Sequence, residues 1–376
     1  MEVETIKNDV GMSWKRFDFI DLVNDITGGN RKFQSSEYQD YGAFPIIDQS
    51  EIFISGFTNE NAIVKRKKEV VIFGDHTKAL KFVDFDFCLG ADGVKVLEPV
   101  EELDSKFLYY FLKTIILPDV GYSRHYKFLK ETQIPLPPLT TQKRIAEILD
   151  AADALRRKDQ ELLKKYDELA QAIFIDMFGS NSNIVKLNEI TTKITDGVHA
   201  KPNYQETGVP FLSVKNATNK FLDFSNSKFI SQADHEAYTK RCKPEFEDIL
   251  YTKVGATYGR AAIIDSKIEF SIYVSLALIK PDRNKVYPYY LNFVLNTNYI
   301  KKQADRRVKG AGVPDLHLVE IKDFDIPLPS YKEQLDFSNV ISNLNKNIIA
   351  TKNQILESDN LFQTLIQKAF KGELVA

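Results

Sequence analysis

The chain has 376 residues, 43% hydrophobic and 27% charged, enough for two or three folded units with buried cores. No apolar run approaches the ~20 residues that span a bilayer. Residues 1–10 lack the basic-then-apolar plan of a signal peptide, and two cysteines, Cys88 and Cys242, make neither a disulfide framework nor a four-thiolate metal site; both points favour a reducing cytoplasm. The net charge of −2 argues, on its face, against a nucleic-acid partner.

In chain order, short β-like runs at 70–73 and 93–97 lead to a helix over 105–114. A Pro-rich stretch follows, and then 141–178 contains neither Pro nor Gly. Ile148, Leu155, Leu162 and Leu169 form one heptad row there; Ile145, Ala152, Asp159, Tyr166 and Ile173 form another with one polar interruption. Two such rows predict a coiled-coil seam, and about 38 residues at ~1.5 Å each give a rod of roughly 55 Å. The second half repeats the plan: β-like runs at 209–214, 249–251, 261–264 and 275–279, a helix over 288–296, and a long helix from about 331 to 370. Ile341, Leu344, Ile348, Thr351, Ile355, Phe362 and Leu365 supply its seam. Its Asn-rich face lowers intrinsic helix propensity, so it should depend on the first helix as its mate.

The halves are one duplicated unit. Ile134-Pro-Leu-Pro-Pro-Leu-Thr-Thr-Gln142 matches Ile326-Pro-Leu-Pro-Ser-Tyr-Lys-Glu-Gln334 at an offset of 192, and Asp21-Leu-Val-Asn-Asp-Ile-Thr-Gly-Gly29 matches Glu189-Ile-Thr-Thr-Lys-Ile-Thr-Asp-Gly197 at 168. The prolines forbid helix until just before Gln142 and Gln334 and predict a stiff joint between domain and rod. The expected architecture is α+β: a domain at 1–140, a central helix at 141–179, a second domain at 180–330 and a C-terminal helix at 331–376, the two long helices pairing as a coiled coil.

Catalytic signatures are missing: no GxGxxG, Walker A loop, HExxH, GxSxG or Asn/Asp-Pro-Pro-aromatic motif. His76, His125, His199, His235 and His317 stand singly, without metal-ligand spacing. Asp315 with Glu320 and Lys322 spells the letters of a PD…ExK nuclease, but the two acids lie five positions apart, too close for the usual two-strand cradle. The chain reads as a non-enzyme with no metal of its own.

The duplication, with each copy ending in a Pro-rich joint, a glutamine and a heptad helix, resembles the specificity subunits of type I restriction–modification systems. The segments that carry the likeness are Ile134 to Asp150, Ala172-Ile-Phe-Ile-Asp-Met-Phe-Gly179, Asp248 to Arg260 and Lys368-Ala-Phe-Lys-Gly-Glu-Leu374. The resemblance implies two target-recognition domains, each reading one half of a split site in double-stranded DNA. It implies helices that pair antiparallel, set the spacer and hold two methyltransferase subunits, and a motor–nuclease subunit that joins the complex. S-adenosylmethionine, ATP and Mg would then be held by partner subunits only, and the chain would work in the cytoplasm. A coiled-coil scaffold without DNA, or a subunit of a related system cutting on both sides of its site, fits the same length and duplication.

Base edges are read by polar side chains, while Lys, Arg and small loops hold phosphates. In the second half the candidates are Lys253, Thr257, Tyr258 and Arg260 on a loop with Gly255 and Gly259, then His199, Lys201, Lys215 and Asn216 beside strand ends. Lys301, Lys302, Arg306, Arg307 and Lys309 form a basic strip. In the first half they are His76, Thr77, Lys78, Gln49, Ser50, Arg124 and Lys127, with Tyr122. The first half lacks the Gly-Ala-Thr-Tyr-Gly loop of the second, so contacts need not carry over. Divided along the expected boundaries, residues 1–140 carry −5, 141–178 carry −1, 179–325 carry +4 and 326–376 carry zero. Near-neutrality is an average over unlike domains, and predicts weak, salt-sensitive DNA binding by the chain alone.

Overall fold

The computed structural model describes residues 14–118, 121, 123–179, 183–217, 221–310 and 312–375. It divides into two compact units, Met1–Glu161 with Thr351–Ala376, and Leu162–Ala350. Each long helix is shared, about half to each unit.

In the first unit, β2 (Val23–Asp25), β9 (Val94–Pro99), β6 (Val70–Gly74) and β7 (Leu80–Val83) form an antiparallel sheet in that order. A second, mixed sheet runs β3 (Lys32–Phe33), β8 (Cys88–Gly90), β4 (Phe44–Ile47), β5 (Gly56–Thr58). Strand alternation explains why β6 is apolar throughout. Val71 and Phe73 face a core with helix α2 (Ser105–Thr114), while Val70 and Ile72 join the core shared with Leu89 and Ile47 of the second sheet. The Asp104 carboxylate starts α2 by accepting from the N–H groups of Lys106 (3.0 Å) and Phe107 (2.9 Å). The short helices α1 (Phe19–Leu22) and α3 (Tyr126–Leu129) complete the domain.

The second unit repeats this frame. Strands β12 (Thr191–Asp196), β18 (Leu276–Pro281), β15 (Ile249–Thr252) and β16 (Ala261–Ile263) form the antiparallel sheet; β14 (Lys228–Ile230), β13 (Val209–Leu212) and β17 (Ser271–Ile272) form the smaller one. Ile249 and Tyr251 of β15 face the core with α6 (Pro288–Leu295), and Leu250 faces the other core with Leu212 and Ile272. Helices α5 (Gln232–Thr239), α7 (Asn298–Arg307) and α8 (Leu318–Lys322) are the remaining short ones.

The Pro-rich joints are themselves strands. β10 (Gln133–Pro135) pairs antiparallel with β1 (Arg16–Asp18), and β19 (Asp325–Leu328) with β11 (Asn183–Lys186). Each pair is an isolated two-stranded ribbon, where a proline without an N–H is tolerated.

From these joints start α4 (Leu139–Phe178) and α9 (Tyr331–Lys371). In the first unit Ile145, Leu149 and Ala152 share a core with Phe362, Ile366 and Ala369, and Arg156 lies 3.6 Å from Asp359. In the second, Phe174 and Phe178 meet Phe337 edge to face at 5.8 and 5.4 Å, beside Ala170, Ile341 and Leu344. Ascending α4 from Arg156 to Phe174 descends α9 from Asp359 to Phe337, the antiparallel sense. On α9, Ile341, Leu344 and Phe362 are buried and Ile348 and Ile355 half-buried. On α4 the Ile145 row faces inward, and Asp159, its polar interruption, is buried too. The second row differs from the expectation. Leu149 and Ala170 are buried and Leu163 is half-buried, whereas Leu155, Leu162 and Leu169 are 41%, 37% and 46% exposed and Ile148 is half-buried. Both rows obey the same heptad spacing, and one residue turns a helix by about 100°, so only the partner's surface decides between them.

Candidate nucleic-acid interface

The functional candidates sit on loops that the repeated sheets hold out. In the first unit, the turn after β6 is built on Gln49. Its side-chain Oε1 accepts from the His76 N–H (3.3 Å), and its carbonyl accepts the Thr77 hydroxyl. A Cβ on Gly74 would collide with Thr77 Oγ1, and one on Gly93 (φ +77°) would sit 2.5 Å from Gln49 Oε1, so this packing needs both glycines. Gln49, His76 and Thr77, distant in sequence, are thus brought together. Lys78 takes φ +62° and donates to the Pro118 carbonyl (3.3 Å). The Asp75 carbonyl accepts from His125 N–H (2.8 Å) and its carboxylate from Tyr126 N–H (2.7 Å), which lays exposed Arg124 and Lys127 beside the same turn. Tyr122 lies outside the described residues.

Ser50 takes part in a different network. Its N–H and the Ser55 hydroxyl donate to Asp48 at 2.8 and 2.5 Å. Burial alone would raise the Asp48 pKa, but these bonds and the nearby Lys81 ammonium hold it below the usual carboxylate value. Ser50 therefore shapes the loop from within.

In the second unit the loop between β15 and β16 closes on Thr252. The Thr252 hydroxyl donates to the Thr257 carbonyl (2.8 Å) and accepts from the Arg260 N–H (2.9 Å), and Gly259 N–H donates to the Thr252 carbonyl (2.8 Å). Gly255 and Gly259 take φ +88° and +89°, where other residues are strained. Arg260 is exposed and Thr257 half-buried. The Tyr258 hydroxyl donates to Asp305 (2.6 Å), which pushes its pKa up, and Lys301 lies 4.3 Å over its ring; Tyr258 anchors the loop to α7.

Two expected contacts turn inward instead. Lys253 is 6% exposed, with its ammonium 3.7 Å from both Asp196 and Asp315. Its backbone extends the β15 ladder through Ser275 and Leu316, and that geometry points the side chain into the domain. Asn216 is buried because its carbonyl oxygen accepts from Ser213 N–H (3.0 Å) and its amide donates to the Asp223 carbonyl (2.9 Å). His199, 68% exposed, lies 3.3 Å from Asp196; Lys201 and Lys215 are exposed. Of the basic strip, Lys301 pairs with Asp305, Arg307 with Asp323 and Lys309 with Glu320, while Lys302 and Arg306 stand exposed one turn apart on α7. Glu320 of the nuclease-like letters is thus occupied, and among the described residues no three His, Cys, Asp or Glu could hold a metal ion.

The residue that sequence reasoning passed over is Arg241. It donates to Thr195, to the Asp196 carboxylate (3.1 Å) and to the carbonyls of Asp196 (2.8 Å) and Gly197, pinning the loop that carries His199 and Lys201. A lone Arg before a Cys gives no signal in sequence. Beside it, His199, Tyr238, Arg241, Cys242 and Ile272 line a cavity of about 350 Å³. Burial pushes the Cys242 thiol up to about 11, which leaves it inert.

Comparison with known proteins agrees with this repeated plan. The chain is 28% identical over 194 residues to a Methanocaldococcus jannaschii protein named as type I restriction enzyme MjaX specificity subunit, covering 50% of this chain and 43% of that one. It is 26% identical over 284 residues to the EcoBI specificity subunit of Escherichia coli, covering 66% and 60%. The chain thus spans about half the length of these curated relatives. The crystal structure of a type I restriction–modification S subunit from M. genitalium superposes with a TM-score of 0.56 at 17% identity, over 98% of both chains, a likeness of fold. The profile described as "Type I restriction modification DNA specificity domain" matches residues 13–165 and again 179–358, once for each repeat. With most of the chain matched by one profile in two successive segments, this protein belongs to the family of type I restriction–modification DNA specificity domains.

Proposed function

We infer that this chain is the DNA-reading subunit of a type I restriction–modification complex, each unit reading one half of a bipartite site in double-stranded DNA. The observation that carries the reading is the duplication itself. One frame occurs twice, on a shared antiparallel helix pair, with different polar loops at the same place: His76 and Thr77 after β6, packed on Gln49 from another loop, and Thr257 and Arg260 after β15. A repeated frame with unlike loops is what reading two different half-sites requires.

The exposed Leu155, Leu162 and Leu169 on α4, with Ile349 and Leu356 on α9, support docking of helices from two methyltransferase subunits, since apolar heptad rows left wet favour a partner. Motor–nuclease subunits would join that assembly. Catalysis, and with it S-adenosylmethionine, ATP and Mg, belongs on those partners, and the complex works on DNA in the cytoplasm. No helix among the described residues is long and apolar enough to cross a membrane.

Long-read methylation mapping of cells that express this chain with its methyltransferase partner tests the reading. The expected result is a split motif with modified bases in both halves. A gel shift that shows no DNA binding, alone or with the partner, overturns it.

A further inference from the structure

Each long helix leaves its domain through the same device, a fully buried glutamine. Gln142 accepts from the Asp104 N–H (2.8 Å) and donates to the carbonyls of Glu102 (2.9 Å) and Pro137 (2.8 Å). Gln334, in the other unit, accepts from the Tyr287 N–H (2.8 Å) and donates to the carbonyls of Lys285 (3.4 Å) and Pro329 (2.9 Å). Asp104 and Tyr287 are the residues from which α2 and α6 start. Each side chain therefore joins three backbone segments: the loop entering a domain helix, the Pro-rich joint, and the first turn of the rod.

Only a primary amide of this length offers one acceptor and two donors at once. Glutamate would place negative charge against two carbonyls, and alanine would leave a buried N–H and two carbonyls unpaired. Hydrogen bonds to both the domain loop and the Pro-rich joint restrain the domain from swinging on its helix. A bare Pro-rich joint would leave that freedom, because proline restricts φ but not ψ.

We propose that Gln142 and Gln334 are positioning residues that determine how strictly the separation of the two half-sites is read. This rests on the bipartite function proposed above. A loosened clamp leaves each set of reading loops intact, so half-site sequence is preserved while tolerance for spacer length grows.

The test uses the full chain assembled with its methyltransferase partner, on a DNA library carrying both mapped half-sites with spacers one base pair shorter, equal and longer. Wild type should methylate one spacer. Gln142→Ala, Gln142→Glu and Gln334→Ala should lower the preference for it by about ten-fold, the factor of roughly one net hydrogen bond, with unchanged half-site sequences. Leu149→Ala, a core change in the same unit, should lower total methylation and keep the spacer ratio. If the alanine variants do not fold, Gln142→Asn and Gln334→Asn, which shorten the amide and keep its donors, carry the same test. Folded variants with wild-type spacer ratios overturn the clamp alone. A wild-type complex that methylates no split site overturns the function, and the clamp's role with it.

Discussion

The two units share a frame and differ in what the frame presents. After β6 the chain turns through Gly74, Asp75, His76 and Thr77 on a glutamine from another loop; after β15 it turns through Gly255 to Gly259 on its own threonine and on α7. At the residue just past the strand, Asp75 in one unit caps the backbone of Tyr126, and Lys253 in the other bridges Asp196 and Asp315. Opposite charges thus occupy corresponding places, both buried and both structural. The main sheet and the ribbon tolerate no such exchange, because each is held by backbone pairing and core packing. Loops held by side chains can be rebuilt without disturbing what lies beneath them.

The largest expected effect tests whether the frame is equally strong in both units. Phe337 is fully buried against Phe174, Phe178, Tyr290 and Phe293. Phe337→Ala should cost about 3–5 kcal/mol and melt the second unit ahead of the first, seen as a split transition in calorimetry. A single cooperative transition would show that the units do not unfold separately.

Next comes the choice between heptad rows. Leu149→Ala should cost about 2–5 kcal/mol in chemical denaturation, whereas Leu155→Ala should stay within about 0.5 kcal/mol and instead weaken pull-down of a methyltransferase partner. Equal destabilisation by both changes would place Leu155 back in the seam.

The loops come third. Arg260→Ala should relax or weaken reading of one half-site, and Arg124→Ala of the other, by about 1–3 kcal/mol if the side chain reaches a base. A pure phosphate contact would instead weaken all sequences alike and reduce the salt slope by about 0.9. Either change affecting both half-sites would break the one-unit, one-half-site comparison.

The smallest effect is the pH dependence that Asp48 contributes to the first unit. Asp48 has a folded pKa held below its ordinary value, so its contribution is complete above the ordinary carboxylate pKa of about 4 and is lost as pH falls through the lowered one. Asp48→Asn should flatten stability against pH in that acidic window; the same acid slope in the variant would remove Asp48 as the cause.

Strand positions read from sequence fall within a residue or two of the observed elements in both β6 and β15, because apolar runs bounded by Gly or Asp leave few other foldings. The polar candidates were harder to read. Arg124, Lys127, Lys201, Lys215 and Arg260 are exposed, whereas Lys253 and Asn216 point inward. Nothing in a one-dimensional pattern reports whether a lysine beside a strand end meets solvent or two carboxylates from elsewhere in the fold. Arg241 was invisible for the same reason, since its partners lie about 45 residues away.

The sequence by itself determined the duplication, the helix-forbidding joints, and the two long helices with seams that need a partner. Those follow from periodicity, proline geometry and repeat offsets, which are local properties of the chain. Only the tertiary structure decided which of two equally spaced apolar rows on α4 faces α9, which charged groups are struts, and that Gln142 and Gln334 are buried clamps. Those choices depend on groups distant in sequence meeting across a core. There, burial cost and hydrogen-bond satisfaction, which no local pattern encodes, select among the alternatives.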